Sequence, residues 1–456
     1  MLSTTMNKIS RVLAILLLSV GAFTTFAQSG GVSPYSYYGH GLTQPNAFAF
    51  HQLLGGTQAA SQSKLYVNPG QPASYAHIRY TTLDLGGTYQ GIHQQTQSAG
   101  LWNTTGGFRN MGVAFPLQKW MGFSAGIMPY SLAGYDMLTN GTDADFGTYT
   151  RQYQGKGGYN KAHFGVGLTT LKYLSLGFNA NYIFGSLDQQ SNLIFTNNQF
   201  NSVRLSERTL ASDWMWDAGA QLRIPSGSIQ TVIGFTLRNS ASIQSSFSDV
   251  SYTYIQNGSG SETPLDTGRA QLNQAGFIHI PSQMSVGVEF SKPIENLPIN
   301  AWTFGLQYQI TEQMELLPFW TGNLPWISSE PWTPTYAENG QRYSVSASMI
   351  PSLALPKRRL KSYGAEVAYR AHFQFENTGL VLNDTPIQAW QCGLGVGLPL
   401  GGRAILPGDV KFATLHIGAQ VGNYGSKQNN LINEFYTQAV IGVTLNDQWF
   451  IKFKYR

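Results

Sequence analysis

The feature that most restricts what this chain can become is a strict alternation of apolar and polar residues. It recurs in stretches of about ten residues from residue 80 to the C-terminus. Met284, Val286, Val288 and Phe290 alternate with Gln283, Ser285, Gly287 and Glu289. Trp302, Phe304, Leu306, Tyr308 and Ile310 alternate with Thr303, Gly305, Gln307 and Gln309. Successive side chains of a strand point to opposite faces, so each stretch has one greasy face and one polar face. A soluble sandwich shows the same period because it buries one face. The number of stretches, their length and the absence of an intervening helical pattern favour a membrane barrel, with lipid outside and water inside.

The start of the chain supports export. Lys8 and Arg11 precede a mostly apolar run from Val12 to Ala27, and Thr25-Phe26-Ala27 places small residues at cleavage positions. Residues 1–27 therefore read as a signal peptide, with the mature chain starting at Gln28. The competing reading, an anchor helix, needs roughly 20 apolar residues. No cysteine follows the cleavage site, which argues against a lipoprotein. Without another segment of spanning-helix character, passage through a membrane requires a closed barrel, in which every backbone group finds a partner. The 24 Tyr, 25 Phe and 10 Trp beside only 11% charged residues suit aromatic girdles and argue against disorder. Removal of Lys8 and Arg11 leaves 26 basic against 23 acidic residues, too small an excess for a nucleic-acid footprint. Cys392, the single cysteine, has no partner for a disulfide and reads as a small apolar strand residue.

Residues 28–79 lack the alternation and are rich in Gly, Pro, Ser, Gln and Asn, a composition that makes turns. Pro34, Tyr37, Gly39, Asn68, Pro69 and Pro72 mark this segment, and Phe48, Phe50, Leu53, Leu54, Leu65 and Val67 give it something to bury. It is expected to be a plug or hatch within the barrel; the alternative is a disordered leader. Residues 80–456 are expected to form an all-β, antiparallel transmembrane barrel of 14 strands. Short turns fall near residues 118, 172, 225–228, 294–300 and 401–409. Long connections fall near 132–159, 188–211, 240–281 and 313–340. With the first strand rising from the periplasm, all the long ones lie outside, the arrangement of outer-membrane barrels. The alternation of Trp449, Ile451, Phe453 and Tyr455 leaves 16 strands as a fallback, with 148–156 and 191–197 as candidates for a missed strand.

These stretches carry a resemblance. Ser33-Pro34-Tyr35-Ser36-Tyr37-Tyr38-Gly39, Leu54-Gly55-Gly56-Thr57, Val67-Asn68-Pro69 through Pro72-Ala73-Ser74, the run from Lys172 to Leu187, and Gly442-Val443-Thr444-Leu445-Asn446 with Trp449-Phe450 resemble the FadL-like outer-membrane proteins, in the version common among Bacteroidota. Gly70-Gln71-Pro72 separates Pro69 from Ala73, a departure from that family's Asn-Pro-Ala-like hatch element. The resemblance implies a 14-stranded barrel with an N-terminal hatch and passage of hydrophobic molecules across the outer membrane. The family also includes a shuttle protein of the type IX secretion system, so the fold does not fix the job.

Alternation points Lys161, His163, Asp217, Arg223, Glu289 and His416 into the lumen, as a selectivity cluster or as an ordinary hydrated lining. The loop near 313–340 carries Phe319, Trp320, Trp326 and Trp332 among four prolines. Such aromatics beside water suit capture of an apolar ligand, closure of the barrel mouth or a place at the lipopolysaccharide interface. Lys357-Arg358-Arg359-Leu360-Lys361 is a basic turn, solvated or touching anionic headgroups. No His or Cys spacing suggests a metal, no cofactor motif is present, and no nucleophile motif suggests an enzyme. The expected partners are outer-membrane lipid, a hydrophobic small molecule and other outer-membrane proteins. The leading expectation is passive transport of hydrophobic small molecules. The alternative is a non-transporting barrel subunit, or shuttle, of an outer-membrane secretion or assembly complex.

Overall fold

The computed structural model describes residues 32–197, 199–256, 262–294, 297–315, 335–354, 362–400 and 412–447. Fourteen antiparallel strands close into a barrel. They are β1 (Thr81–Gln95), β2 (Gly100–Gln118), β3 (Met121–Pro129 and Ser131–Asp143), β4 (Gly147–Thr169), β5 (Leu174–Phe195), β6 (Ser202–Ser226) and β7 (Ile229–Arg238 and Ala241–Gln256). There follow β8 (Glu262–Ile280 and Gln283–Pro293), β9 (Asn300–Thr311), β10 (Gly340–Met349), β11 (Ala368–Leu382), β12 (Thr385–Leu400), β13 (Phe412–Gly425) and β14 (Asn433–Asp447). The ring closes where β14 pairs with β1, from Asn433 opposite Gln95 to Asp447 opposite Thr81. Full closure removes the edges a flat sheet would leave. Among the described residues no helix is long and apolar enough to cross a membrane.

Alternation sorts the side chains in the sense opposite to a soluble sandwich. On β5, Leu176 and Phe178 are exposed, while Ser175, Asn179 and Asn181 are buried. On β8, Met284, Val286 and Phe290 are exposed, while Ser285 and Glu289 are buried. The greasy face therefore points away from the protein, where only hydrocarbon can cover it, and the polar face points in.

The strands run further than alternation foretells. Residues 132–159, 188–211 and 240–281, expected as long connections, are largely strand, because β3 to β8 extend well past the short-turn half of the barrel. Residues 148–156 lie within β4 and 191–195 within β5, so neither adds a strand. Beyond the hydrocarbon no face of a strand needs to be greasy, and the period disappears while the hydrogen-bond ladder continues. Residues 449–455, residues 1–27, expected to be a signal peptide, and the basic run 357–361 lie outside the described residues.

Residues 32–80 pack against inward-facing residues of the wall. They form a 3-10 turn (Pro34–Tyr37), a two-residue strand (Leu42–Thr43), a short helix α1 (Ala49–Gln52) and a second 3-10 turn (Pro72–His77). Phe48, Val67, Tyr75 and Ile78 pack on Ala114 and Met128 of the wall, and Ala49 and Leu53 on Val440. The approach is close: a Cβ placed on Gly234 of β7 would meet the Ala59 carbonyl oxygen at 1.7 Å, so only glycine fits there.

Candidate functional site

The barrel interior is the candidate site, and amide side chains of the wall organise it. Gln221 Nε2 donates to the Ala59 and Ser61 carbonyls at 3.0 and 3.2 Å. Gln307 Oε1 accepts from the backbone N–H groups of Gln58 and Ala59 at 2.7 and 2.9 Å. Gln420 Nε2 donates to the Gln52 carbonyl at 2.8 Å, Asn179 Nδ2 to that of Pro69 at 3.0 Å, and Asn446 Nδ2 to that of Leu65 at 2.8 Å. In return Gln71 Nε2 reaches the wall carbonyls of Phe235 and Ala220 at 3.2 and 3.4 Å. An irregular segment inside a protein must satisfy its own main chain, and these wall amides supply what a ladder would. Alternation already points Asn179, Gln221, Gln307 and Gln420 inward; what it does not reveal is that a polypeptide meets them in place of water.

The residues singled out from sequence occupy several levels of this interior. Asn68 Nδ2 donates to the Gln58 and Ser61 carbonyls at 3.0 and 3.3 Å, tying its loop to itself. The Pro69 carbonyl accepts from Asn46 and Asn179 at 3.3 and 3.0 Å, and Pro72 opens the second 3-10 turn. Pro34, Tyr37 and Gly39 stand at the opposite end, where Tyr37 meets the rings of Tyr135 and Tyr153 edge-on at 5.5 and 5.7 Å. Lys161 Nζ donates to Asn46 Oδ1 at 2.6 Å. Asp217 holds Arg238 at 3.2 Å, and His163 meets Ser124 at 3.2 Å. Across the barrel, His416 bridges Arg370 and Thr444 at 3.0 Å each, and Thr444 donates to Asp84 at 2.7 Å. Arg370 also stacks over Phe50, 4.6 Å from its centroid. Glu289 faces Ser61 and Gln62. Arg223 stands at the short-turn end, bonded to the Lys172 carbonyl at 3.2 Å. The six predicted lining residues are thus spread over separate networks. Arg238, Arg370 and Asp84, which sequence reasoning did not single out, supply charged partners in two of them. Phe319, Trp320, Trp326 and Trp332 lie outside the described residues.

Much of this interior is packed where water was expected. Lys161, His163, Asp217, Glu289 and His416 are all buried. Above them Tyr130, Tyr159, Ile183, Met215, Ile243 and Ile280 form an apolar cluster. At the far end Tyr35 and Tyr38 pack with Leu380, Leu382, Ile387 and Leu431. These inward apolar residues break the polar phase of their strands, and alternation alone gives no sign of them. Burial, reinforced by nearby arginines, lowers His40 to about 4 and His51 and His77 to about 3, so all three are neutral at ordinary pH. A cavity of about 10 Å³ lies among the strand extensions, beside Glu207, Phe247 and Asp249, with room for roughly one water. Among the described residues no group of three or more His, Cys, Asp or Glu side chains could hold a metal.

The described wall has a seam between β2 and β3. β2 pairs with β3 only from Met111 to Gln118. Beyond that level β3 bends at Tyr130, and its second part pairs with β4 and with the inner segment, Leu42 opposite Leu132 and Thr43 opposite Ser131. Gly158 of β4, at φ +138°, lets the bent strand pass: a Cβ there would meet the Ser131 carbonyl oxygen at 2.3 Å. The Gln44 N–H donates to the Tyr130 carbonyl at 2.8 Å, and Arg109 of β2 reaches across to Gln44. A strand of the inner segment thus occupies the edge that β2 leaves.

Solved structures share this architecture. A FadL homologue of Pseudomonas aeruginosa is 12% identical with a TM-score of 0.52, covering 90% of this chain and 99% of its own. The toluene transporter TodX of P. putida is 10% identical with a TM-score of 0.53, covering 90% and 100%. A TodX monoaromatic hydrocarbon channel carrying the deltaS2 mutation is 12% identical with a TM-score of 0.51, covering 89% and 99%. At such identity the likeness speaks for the fold alone. No curated protein matches the chain. The family model described as BamG matches residues 6–456.

Proposed function

The chain belongs to the BamG family, and from that premise we propose that it is a plugged, non-conducting barrel subunit of an outer-membrane assembly complex. Its short-turn end faces the periplasm, and residues 28–79 are its plug. The observation that carries this reading is the set of wall amides bonded to the main chain of the inner segment, from Gln52 to Pro69. A segment that must leave to open a pore would give up these bonds together, and each buried bond broken without replacement costs about 1–3 kcal/mol. The apolar clusters above the segment add to the barrier. A barrel held shut this way is suited to present surfaces to partners and lipid.

The test combines two measurements on the full chain. In planar bilayers the protein is expected to give no open-pore conductance, and in mild detergent to retain a stoichiometric outer-membrane partner. Steady conductance together with a solitary barrel would overturn the reading.

One observation favours a second reading, passage of apolar solutes. The seam between β2 and β3, filled by Leu42–Thr43, offers a lateral way out that movement of the inner segment would clear. A disulfide between Gln44→Cys and Arg109→Cys, in a Cys392→Ser background, would pin the segment at the seam. Uptake of an aromatic hydrocarbon into liposomes that stops on oxidation and resumes on reduction would establish passage.

A further inference from the structure

Among the described residues, no carboxylate pairs with the positive charge gathered at the short-turn end of the lumen. Lys64 and Arg79 belong to the inner segment and both are exposed. The Arg79 N–H donates to the Lys64 carbonyl at 3.1 Å, which holds the two residues side by side. Arg223 lies on the inward face of β6, in phase with Gln221, whose side chain bonds to Ser61 and Gln62 of the same segment. His77 is anchored to Ser175 of β5 at 3.0 Å, and Ser175 pairs with Gln221. The register therefore gathers Lys64, Arg79 and Arg223 on one floor.

Each of the three cations is positioned by carbonyl oxygens. Arg79 Nη1 donates to Ala76 and Ile78 at 2.8 and 2.9 Å. Arg223 Nη2 donates to Lys172 at 3.2 Å, and Lys64 Nζ to Leu297 at 3.5 Å. Among the described residues none of them forms an ion pair. Partial burial, then the charges of Arg79 and Arg223, lowers the Lys64 amine; partial burial and Arg223 lower the Arg79 guanidinium. Like charges held together by backbone carbonyls leave a field that an anionic group would relieve.

We infer that this floor, formed by Lys64, Arg79 and Arg223, is a docking surface for an acidic segment of a periplasmic protein. Its position selects the partner. Two of the three cations sit on the inner segment and the third on an inward strand face, so the wall stands between them and the plane of lipid headgroups. A flexible acidic peptide can enter the mouth of the ring; a bilayer surface cannot. The inference rests on the subunit reading above and names the chemistry of one partner.

The test uses the full-length barrel in neutral detergent and a fluorescent ten-residue polyglutamate peptide followed by anisotropy. Saturable binding is expected, weakened by roughly five- to tenfold in Lys64→Gln/Arg223→Gln and lost at high salt. Lys119→Gln, a change in the turn between β2 and β3, is expected to leave binding unchanged. Arg79 is left intact because its bonds to Ala76 and Ile78 support the second 3-10 turn. Retained heat-modifiability on gels shows that each variant is folded. Binding that survives the double substitution, or that a neutral polyglutamine peptide matches, overturns the inference. So does complete displacement by phosphatidylglycerol micelles at equal charge, which would make the floor a lipid site. Conductance is read separately: an open pore that still binds the peptide defeats the subunit reading alone, and a sealed barrel that does not bind it defeats this inference alone.

Discussion

The two halves of β8 obey different rules. From Gln283 to Pro293 the strand pairs with β7 on one side and β9 on the other, and its side chains alternate strictly between lipid and core. From Glu262 to Ile280 it pairs, among the described residues, only with β7, most of its residues are exposed whichever way they point, and the register slips at three places. Asn273 there takes φ +54°, and Pro264 removes a donor. In the first half a slip of one residue would turn every apolar side chain inward, so lipid enforces the register. In the second half neither face must be greasy, and bulges and proline are tolerated, the same devices that blunt an exposed strand edge. Lipid thus writes a pattern into the sequence, and water lets it lapse.

One substitution in each half of β8 breaks this comparison most directly. Val286→Arg places a charge in the lipid-facing belt and is expected to cost ~2–4 kcal/mol. Leu272→Arg, at a more exposed position of the same strand, is expected to stay within ~0.5 kcal/mol. Urea-induced unfolding in micelles, followed by tryptophan fluorescence, measures both. Equal costs would mean that the outer half also lies in hydrocarbon.

A pH series asks next whether the lumen is as dry as its packing. His77, lowered to about 3 by burial and then by Arg223, is neutral when folded and protonates near 6.5 when unfolded. Its folded pKa is depressed, so the unfolded chain binds the extra proton. Stability is full above about pH 6.5 and falls as pH drops toward the folded value. By pH 5 the loss from this one group is on the order of 2 kcal/mol. His77→Gln keeps a donor for Ser175 and is expected to flatten the unfolding midpoint between pH 7 and 5 relative to the parent. An unchanged slope would place His77 in contact with water.

Legibility follows the same division. Alternation located the membrane-level strands and their inward residues, because hydrocarbon allows no other arrangement; Leu176, Phe178, Met284 and Val286 all point as read. It passed over the strand extensions, where 132–159 and 240–281 looked like loops for want of a period. The phase of each strand singles out the lining charges one by one but not their neighbours, since Lys161 and Asn46, or His416 and Arg370, meet only through the closed ring. Nor does spacing show that Gln221 and Gln307 bond to a main chain. The identity of those residues was the available signal: long amides suit a partner that both donates and accepts, which backbone does and bulk water does not require.

That signal yields a prediction of intermediate size. Gln307→Ala leaves the N–H groups of Gln58 and Ala59 without their acceptor. A cost of about 1–3 kcal/mol is expected, together with faster proteolysis within residues 52–69. Gln274→Ala in the outer half of β8, where the amide donates to the nearby Leu272 carbonyl at 3.2 Å, is expected to change neither. Equal protease sensitivity in the two variants would mean that the inner segment is held by its apolar contacts alone.

The smallest effect belongs to the outer half, where charge replaces grease as the cross-strand contact. Arg204 of β6 grips Glu262 of β8 through two nitrogens at 2.6 and 2.7 Å and lies over the Tyr254 ring at 4.9 Å. Geometry this good would be strong in a dry core, yet the Glu262 side chain is 31% exposed. Water then competes for both ions, so Glu262→Gln is expected to cost only ~0.2–1 kcal/mol, and less as salt is raised. The comparison is sharp because Arg238 and Asp217 make a looser pair, 3.2 Å apart, with 10% and 8% of their side chains exposed. Removing one partner there strands a buried charge and is expected to cost ~3–5 kcal/mol. Should Glu262→Gln prove as damaging as Asp217→Asn, and insensitive to salt, the strand extensions would have to be covered by something that keeps water out.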